Sequence, residues 1–236
     1  MRKWLAGFAK SQHRPRVDGR PPRLSTGERV YAVGDVHGRL DLLRETEALI
    51  TRDLEAAPPS GSVLRVFLGD YVDRGPDSAG VLDHLSRARG TPEPPTCLMG
   101  NHDWWFHDFL EGGEPALAWL GSGGDATLAS YGVMEWPPLD DRDAWARLRT
   151  RLRRRVPGEH RRFLHGLARQ ARRGDYLFAH AGIRPGLPLD DQDPRDLLFI
   201  REPFLSDNGD LGVVVVHGHT VVREPQVCIN RIGIDT

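Results

Sequence analysis

The sequence predicts an α/β domain built on a parallel sheet, with its chemistry along the carboxyl edge of that sheet. Two observations carry this. Between Arg29 and Met99, short β-forming runs alternate with segments of helical period, in the order strand, helix, strand, helix, strand. Each strand-like run also gives way to a polar residue beside a glycine, which is where open α/β sheets carry their sites.

The elements follow in chain order. Residues 1–28 are basic and rich in Pro and Gly, and are expected to form a flexible arm. Trp4, Leu5 and Phe8 leave an amphipathic anchor as the alternative there. Residues 29–236 form the expected catalytic domain. Arg29-Val30-Tyr31-Ala32-Val33 is the first strand and ends in Gly34-Asp35-Val36-His37-Gly38. A helix follows, with Leu40, Leu42, Leu43, Ala48, Leu49 and Leu54 on one broad apolar face, until Pro58-Pro59-Ser60-Gly61 breaks it. Val63 to Leu68 is the second strand and leads into Gly69-Asp70-Tyr71-Val72-Asp73-Arg74-Gly75. Asp77-Ser78 caps a helix from Ala79 to Arg89. Thr96-Cys97-Leu98-Met99 is the third strand and ends in Gly100-Asn101-His102-Asp103.

Residues 104–174 read differently. They hold several tryptophans, a Gly-rich stretch at Gly121-Ser122-Gly123-Gly124, and a basic helical pattern from Arg147 to Arg173. This segment is expected to be a helical insertion over the site, its arginines mostly forming a solvated face. The strand grammar then returns. Tyr176 to Ala179 leads to His180-Ala181-Gly182, and Val213 to Val216 leads to His217-Gly218-His219-Thr220. A short apolar segment, Leu197-Leu198-Phe199-Ile200, ends in Arg201-Glu202. Val227 to Thr236 reads as a final hairpin.

The composition is that of an ordinary globular chain, with 39% hydrophobic and 28% charged residues. A formal net charge of −1 gives no reason to expect nucleic-acid binding. No apolar run reaches membrane-spanning length, and no signal-peptide core follows the N-terminal charges. Cys97 and Cys228 lie in apolar runs, which suits buried thiols in a reducing compartment. The expected location is the cytoplasm.

A histidine at one strand end is usually structural. Five strand ends that each bear Asp, His or Asn beside Gly are hard to obtain by accident. Asp35, His37, Asp70, Asn101, His180 and His219 would converge at one sheet edge. Mixed imidazole and oxygen ligands suit Mn, Fe or Zn, and six of them exceed the needs of one cation. Two divalent ions sharing a carboxylate are the expected solution, Mn²⁺ first, with Fe or Zn as options.

Taken together and in order, these motifs resemble the calcineurin-like metallophosphoesterases. Asp70-Tyr71-Val72-Asp73-Arg74-Gly75 is similar to the phosphoprotein phosphatase branch, bacterial and phage members included. The resemblance implies a β-sandwich flanked by helices. It implies that Asp35 and His37 bind one metal, that Asp70 bridges both, and that Asn101, His180 and His219 bind the other. His102 would be the general acid, held by Asp73. Arg74 would grip the phosphate with help from Asn101, and Arg201 would be a second phosphate-gripping arginine. An ion pair with Glu202 or Asp196 is the plain alternative for Arg201. The implied reaction is in-line attack on phosphorus by a metal-bridging hydroxide. The expected activity is serine/threonine protein phosphatase. The alternative is hydrolysis of a small phosphorylated molecule, such as symmetrical diadenosine tetraphosphate. A phosphorylated protein, peptide or metabolite would be the partner.

Three points depart from the family pattern or stay open. Asp103 stands where eukaryotic members carry Glu, which shortens an outer carboxylate without touching the ligands. The chain stops at Asp235-Thr236, where relatives continue into further strands, so a truncated C-terminal end is expected. His217 precedes His219 by two residues, and is given an outer or lining role.

Overall fold

The structure, a computed structural model, describes residues 14–113, 119–138 and 140–236. Strands β1 (Arg29–Val33), β2 (Val63–Phe67) and β3 (Thr96–Cys97) form a parallel sheet in that order. Helices α1 (Leu40–Ala56) and α2 (Ser78–Ala88) make the crossovers that parallel neighbours require. The side chain of Asp77 caps α2, accepting a hydrogen bond from the Gly80 amide at 2.8 Å. A second, mixed sheet has the order β4 (Gln170–Arg173), β5 (Tyr176–Ala179), β6 (Val214–His217), β8 (Arg231–Gly233), β7 (Gln226–Val227). Its inner pairs, β5–β6 and β6–β8, are parallel, and its outer pairs are antiparallel.

The two-residue period of the strands builds three layers of core. Val66, Leu68 and Leu98 of the first sheet meet Phe178 and Val216 of the second. Phe67, Cys97 and Met99 face the other way, into a core supplied by the helices. Leu177, Ala179 and Val215 point outward from the second sheet and are covered by α7 (Pro194–Phe199) through Leu197, together with Phe204. The result is a sheet-on-sheet sandwich with helices on both outer faces, as the sequence led one to expect.

The helical face holds α3 (Asn101–Glu111), α4 (Asp125–Ser130), α5 (Arg142–Arg155) and α6 (Gly158–His165). Phe106, Phe109, Trp119, Trp145 and Phe163 pack there with the apolar side of α2. Phe106 is fully buried and stacks on Tyr131 at 5.7 Å. Phe106→Ala is expected to lower unfolding free energy by ~3–5 kcal/mol, read from urea denaturation.

Four expectations change. The apolar face of α1 is narrower than predicted: Leu43 and Ile50 are buried, while Leu42, Ala48 and Leu49 are exposed, because only one stripe of the helix meets the sheet. Of the predicted arm, residues 1–13 lie outside the described residues. Residues 14–28 are fastened to the second sheet: the Arg16 amide donates to Ile229 O at 2.8 Å, and Arg20 pairs with Asp175 at 2.5 Å. Val17 is buried, which the composition of this half of the arm did not suggest. The basic helical pattern ends at His165. Gln170–Arg173 is an edge strand instead, because pairing from Arg173 opposite Tyr176 outweighs local helical period. The third strand is shorter than predicted, with Leu98 forming only an isolated parallel bridge to Ala168. Among the described residues no helix is long and apolar enough to cross a membrane.

Candidate metal and active site

The loops that leave β1, β2, β3, β5 and β6 are stitched together by their own backbones. The Val36 and His37 amides donate to Asp70 O at 3.1 and 2.8 Å, and the Gly38 amide donates to Tyr71 O at 2.9 Å. The Gly218 amide donates to His180 O at 2.8 Å, and the His219 amide reaches the Asp35 carboxylate at 3.2 Å. Crossings this tight leave no room for side chains. A Cβ at Gly69, itself at φ 111°, would press on the Gly100 backbone, and one at Gly218 would overlap the Asp35 carboxylate. Six described non-glycine residues hold left-handed φ, and five are His37, Asp70, Asp73, Arg74 and His219. Such conformations cost of order 1–3 kcal/mol each and persist where surrounding structure holds them, typically at functional sites.

All six predicted ligands come together. Asp70, 2% exposed, is at the centre. Its Oδ2 lies 3.6 Å from His37 Nε2 and 3.5 Å from His180 Nε2, and its Oδ1 accepts from the His102 amide at 3.0 Å. Asn101 Oδ1 lies 2.9 Å from both His180 Nε2 and His219 Nδ1. Asp35 lies against the His219 amide, with its Oδ1 4.0 Å from His180 Nδ1. Two groups capable of holding a cation result, His37–Asp70–His102 and Asp70–His180–His219, and Asp70 belongs to both.

The donor chemistry fits divalent cations. His37 Nδ1 donates to Val72 O at 2.9 Å, and His180 Nδ1 donates to Leu68 O at 3.0 Å. This orientation leaves each Nε2 with a lone pair. Those lone pairs face Asp70 and, for His180, also Asn101 Oδ1, so acceptors point at acceptors across a buried gap. A proton does not settle the conflict. Burial pushes His37 down to about 3 and His180 well below the usual imidazole range. His37 Nε2 and His219 Nε2 are buried without a hydrogen-bond partner. Burial, with Asp235 next, raises Asp35, and burial, with Asp35 next, raises Asp70, because charged carboxylates here lack solvent. Cations would satisfy lone pairs and carboxylates together, in the manner of metal-ligating histidines whose other nitrogen donates to the backbone.

His102 is arranged differently. Its Nδ1 sits 2.6 Å from Asp73 Oδ2, and its Nε2 is 3.3 Å from Arg74 Nη2. Asp73 is fully buried and also accepts from Trp119 Nε1 at 2.8 Å and Thr127 Oγ1 at 2.6 Å. Burial lifts Asp73 to about 7 against these hydrogen bonds, and burial lowers His102 to about 3, so both members resist charge in this dry setting. Asp103 ties two loops together. Its carboxylate accepts from the Tyr71 amide at 2.8 Å and the Gly100 amide at 2.9 Å.

A scan against family models matches residues 28–227 to the calcineurin-like phosphoesterase description. The chain belongs to the calcineurin-like phosphoesterases. Relatives of two kinds are among the proteins it matches. A symmetrical bis(5'-nucleosyl)-tetraphosphatase of Acidovorax sp. (strain JS42) is 33% identical over 156 residues, 66% of this chain and 44% of that protein. Serine/threonine-protein phosphatase 2 of Escherichia coli (strain K12) is 33% identical over 96 residues, 41% of this chain and 38% of that protein. The chain spans less than half the length of the curated relatives it matches. In fold it is similar to the cold-active protein-tyrosine phosphatase of a psychrophilic Shewanella, with TM-score 0.51 and 18% identity. That match covers 90% of this chain and 74% of the other.

The remaining predicted residues divide. Arg201 is exposed and makes no ion pair or side-chain hydrogen bond among the described residues. Asp196 is held by Arg184 at 2.7 Å, and Glu202 accepts from Ser206, so the plain ion-pair alternative for Arg201 is not what forms. His217 does not join either cation-holding group. It turns its Nδ1 to Gly218 O at 3.1 Å and packs on Phe204. Sequence reasoning missed Trp119 and Thr127, which support Asp73 across the insertion, and Asp235, which lies beside Asp35. Asp235 follows the last strand as Asp35 follows the first, a signal that was there to be read.

Proposed function

We propose that this chain is a divalent-metal-dependent phosphomonoesterase acting on phosphoserine and phosphothreonine in proteins. The observation that carries the reading is the pair of cation-holding groups that share Asp70, flanked by the His102–Asp73 pair and Arg74. Asp35, His37 and Asp70 would hold one metal ion, and Asp70, Asn101, His180 and His219 the other. When bound, the two ions supply Lewis-acid polarisation and make hydroxide available from water at neutral pH.

The chain's own residues do the rest. Arg74 binds phosphate oxygens through its guanidinium, and Arg201, whose guanidinium has no partner among the described residues, swings in as the second grip. Asn101 orients the phosphate from its position between the two histidines. His102, once the phosphate dianion has bound and a proton has been taken up at Nε2, gives that proton to the leaving alkoxide, while Asp73 holds Nδ1 and fixes the ring. Trp119 and Thr127 fix Asp73 in turn. Residues 29–236 act as the catalytic unit, with the helices of 104–174 bracing it, and the free thiols Cys97 and Cys228 suit the cytoplasm.

A second reading, hydrolysis of a symmetrical dinucleoside tetraphosphate, is favoured by the Acidovorax relative, whose match covers more of this chain than the phosphatase match does. Side-by-side turnover of a phosphothreonine peptide and diadenosine tetraphosphate, with Mn²⁺ supplied, decides between them. Faster turnover of the peptide is expected, and exclusive turnover of the dinucleotide overturns the first reading. Activity is expected to vanish in excess chelator and to return best with Mn²⁺. Full activity of metal-stripped protein would contradict the metal-dependent mechanism.

A further inference from the structure

The insertion reaches back into the site through one short stretch, and that stretch holds both Asp73 and Arg74. These two residues have left-handed φ, 74° and 65°, a conformation that costs a non-glycine residue free energy and needs support from outside. Thr127 supports Asp73 through a closed ring. Its hydroxyl donates to Asp73 Oδ1 at 2.6 Å and accepts from the Asp73 amide at 2.8 Å. Ser78 Oγ lies 3.0 Å from both the Asp73 amide and Thr127 Oγ1. The amide is a donor and the Thr127 proton is already given to Asp73, so the Ser78 proton goes to Thr127. Trp119 Nε1 donates at 2.8 Å to the other carboxylate oxygen, Oδ2, the one that holds His102 Nδ1. Asp73, Ser78, Trp119 and Thr127 are all fully buried, so water does not stand in for a lost partner. Arg74 is held by backbone. Its amide donates to Gly123 O at 3.0 Å, and its Nε donates to Ser122 O at 3.4 Å. Gly123 is itself at φ 104°, and a Cβ there would stand 2.8 Å from both the amide nitrogen and the Cγ of Arg74.

We propose that residues 119–127 form a positioning clamp, in which Thr127 aims the carboxylate behind His102 and Gly123 aims the guanidinium of Arg74. The inference rests on the phosphatase reading of the site and adds positioning residues that act through Asp73 and Arg74 without touching substrate. An aspartate turns about χ1 and χ2, and a hydrogen bond to His102 alone would let carboxylate and imidazole swing together. Thr127 and Trp119 hold the two carboxylate oxygens separately, one each, so the carboxylate plane has one orientation and the His102 ring one place to stand. Thr127 also holds the Asp73 amide, which ties the side chain to its own backbone. Arg74 follows Asp73 directly and takes its place from Gly123. One segment therefore sets the proton donor and the anion grip against each other. A displacement of about 1 Å at a reacting group is enough to cost ~10²-fold in rate. A contact that served packing alone would not need this directionality, since valine has nearly the shape of threonine and lacks only the hydroxyl.

The test compares Thr127→Val, which keeps the shape and removes the hydroxyl, with Thr127→Ser, which keeps the hydroxyl, and with Gly123→Ala, all as the manganese-loaded full chain. Thr127→Val is expected to lower kcat on a phosphoserine peptide ~10–100-fold with little change in KM, a part of the ~10²–10⁴-fold that a positioned general acid contributes. On p-nitrophenyl phosphate, whose leaving group needs no proton, the loss is expected to be smaller. Thr127→Ser is expected to recover most of it. Gly123→Ala displaces Arg74, which serves both substrates alike, so kcat/KM is expected to fall on both by the same factor. A readout without turnover is the His102 ring proton shared with Asp73. Its downfield resonance in zinc-loaded protein is expected to shift in Thr127→Val and to return in Thr127→Ser. Equal losses on both substrates in Thr127→Val, no recovery with serine, or an unmoved resonance overturn the role of Thr127. A loss that depends on the leaving group, or no loss, in Gly123→Ala overturns the role of Gly123. If Thr127→Val does not fold, Ser78→Ala removes the donor to Thr127 instead, with the same pattern expected at smaller size and equal losses again overturning it. If the wild type turns over neither substrate, the phosphatase reading fails, while the resonance still decides whether Thr127 sets the His102–Asp73 pair.

Discussion

Replacing Asp70 by Asn is expected to empty both metal positions and take turnover to background. Asp70 is the only residue shared by the two cation-holding groups, and it approaches His37 and His180 with the same oxygen. The amide keeps an oxygen to accept from the His102 backbone, so the loop can fold as before. It brings no negative charge, and a neutral oxygen is a poor ligand to share between two divalent cations. Metal analysis should show a loss approaching two ions per chain relative to wild type, with an unchanged circular dichroism spectrum. A variant that retains both ions and normal turnover would show that Asp70 is not the bridge.

The second large effect is expected at His102. His102→Asn should keep the metals, since its Nδ1 is committed to Asp73 and not to the carboxylate at the centre. The kcat on a phosphoserine peptide should fall ~10²–10⁴-fold, the usual contribution of a positioned general acid. With p-nitrophenyl phosphate the loss should be much smaller, because nitrophenolate departs without a proton. Asp73→Asn should follow the same leaving-group pattern more weakly, since it acts by orienting the imidazole. Equal losses on both substrates, or release of a metal ion, would make His102 a ligand instead. That outcome has a geometric basis, because His102 Nε2 is 3.9 Å from Asp70 and His102 stands with His37 in one cation-holding group.

Most of this architecture could be read from local signals. Strand runs, the glycines that end them and the polar residues that follow are all short-range features, and Gly69, Gly100 and Gly218 prove to be where backbones or carboxylates pass too closely for a Cβ. The sandwich core follows from the same alternation, Val66 and Leu68 to one side and Phe67 to the other. What could not be read depends on distant partners. Gln170–Arg173 looks helical until Tyr176–Ala179 offers it an edge. Residues 14–28 look unstructured until Asp175 accepts from Arg20 and from the Arg23 amide. Trp119 looks like core and is core, and its indole nitrogen still reaches Asp73. Trp104 and Trp105 join α3 to Phe199 at the end of α7, two segments with no common motif.

The crossing of Gly69 and Gly100 has a consequence for anyone who would rebuild this protein. The loops after β2 and β3 share one backbone crossing, the clasp of Asp103 on Tyr71 and Gly100, and the grip of Asp70 on the His102 amide. They are a single part with two sequence addresses. Transplanting either loop alone into another scaffold would carry half of a joint, whereas moving both with their strands transfers a unit that already contains Asp70, His102 and Asp73. The loop bearing His219 joins this unit from the other sheet, by the Gly218 amide to His180 O, the His219 amide to Asp35, the His219 ring to Asn101 and the Val222 amide to Asp235 O, so a transplant that leaves it behind would leave Asn101 facing no imidazole from that side.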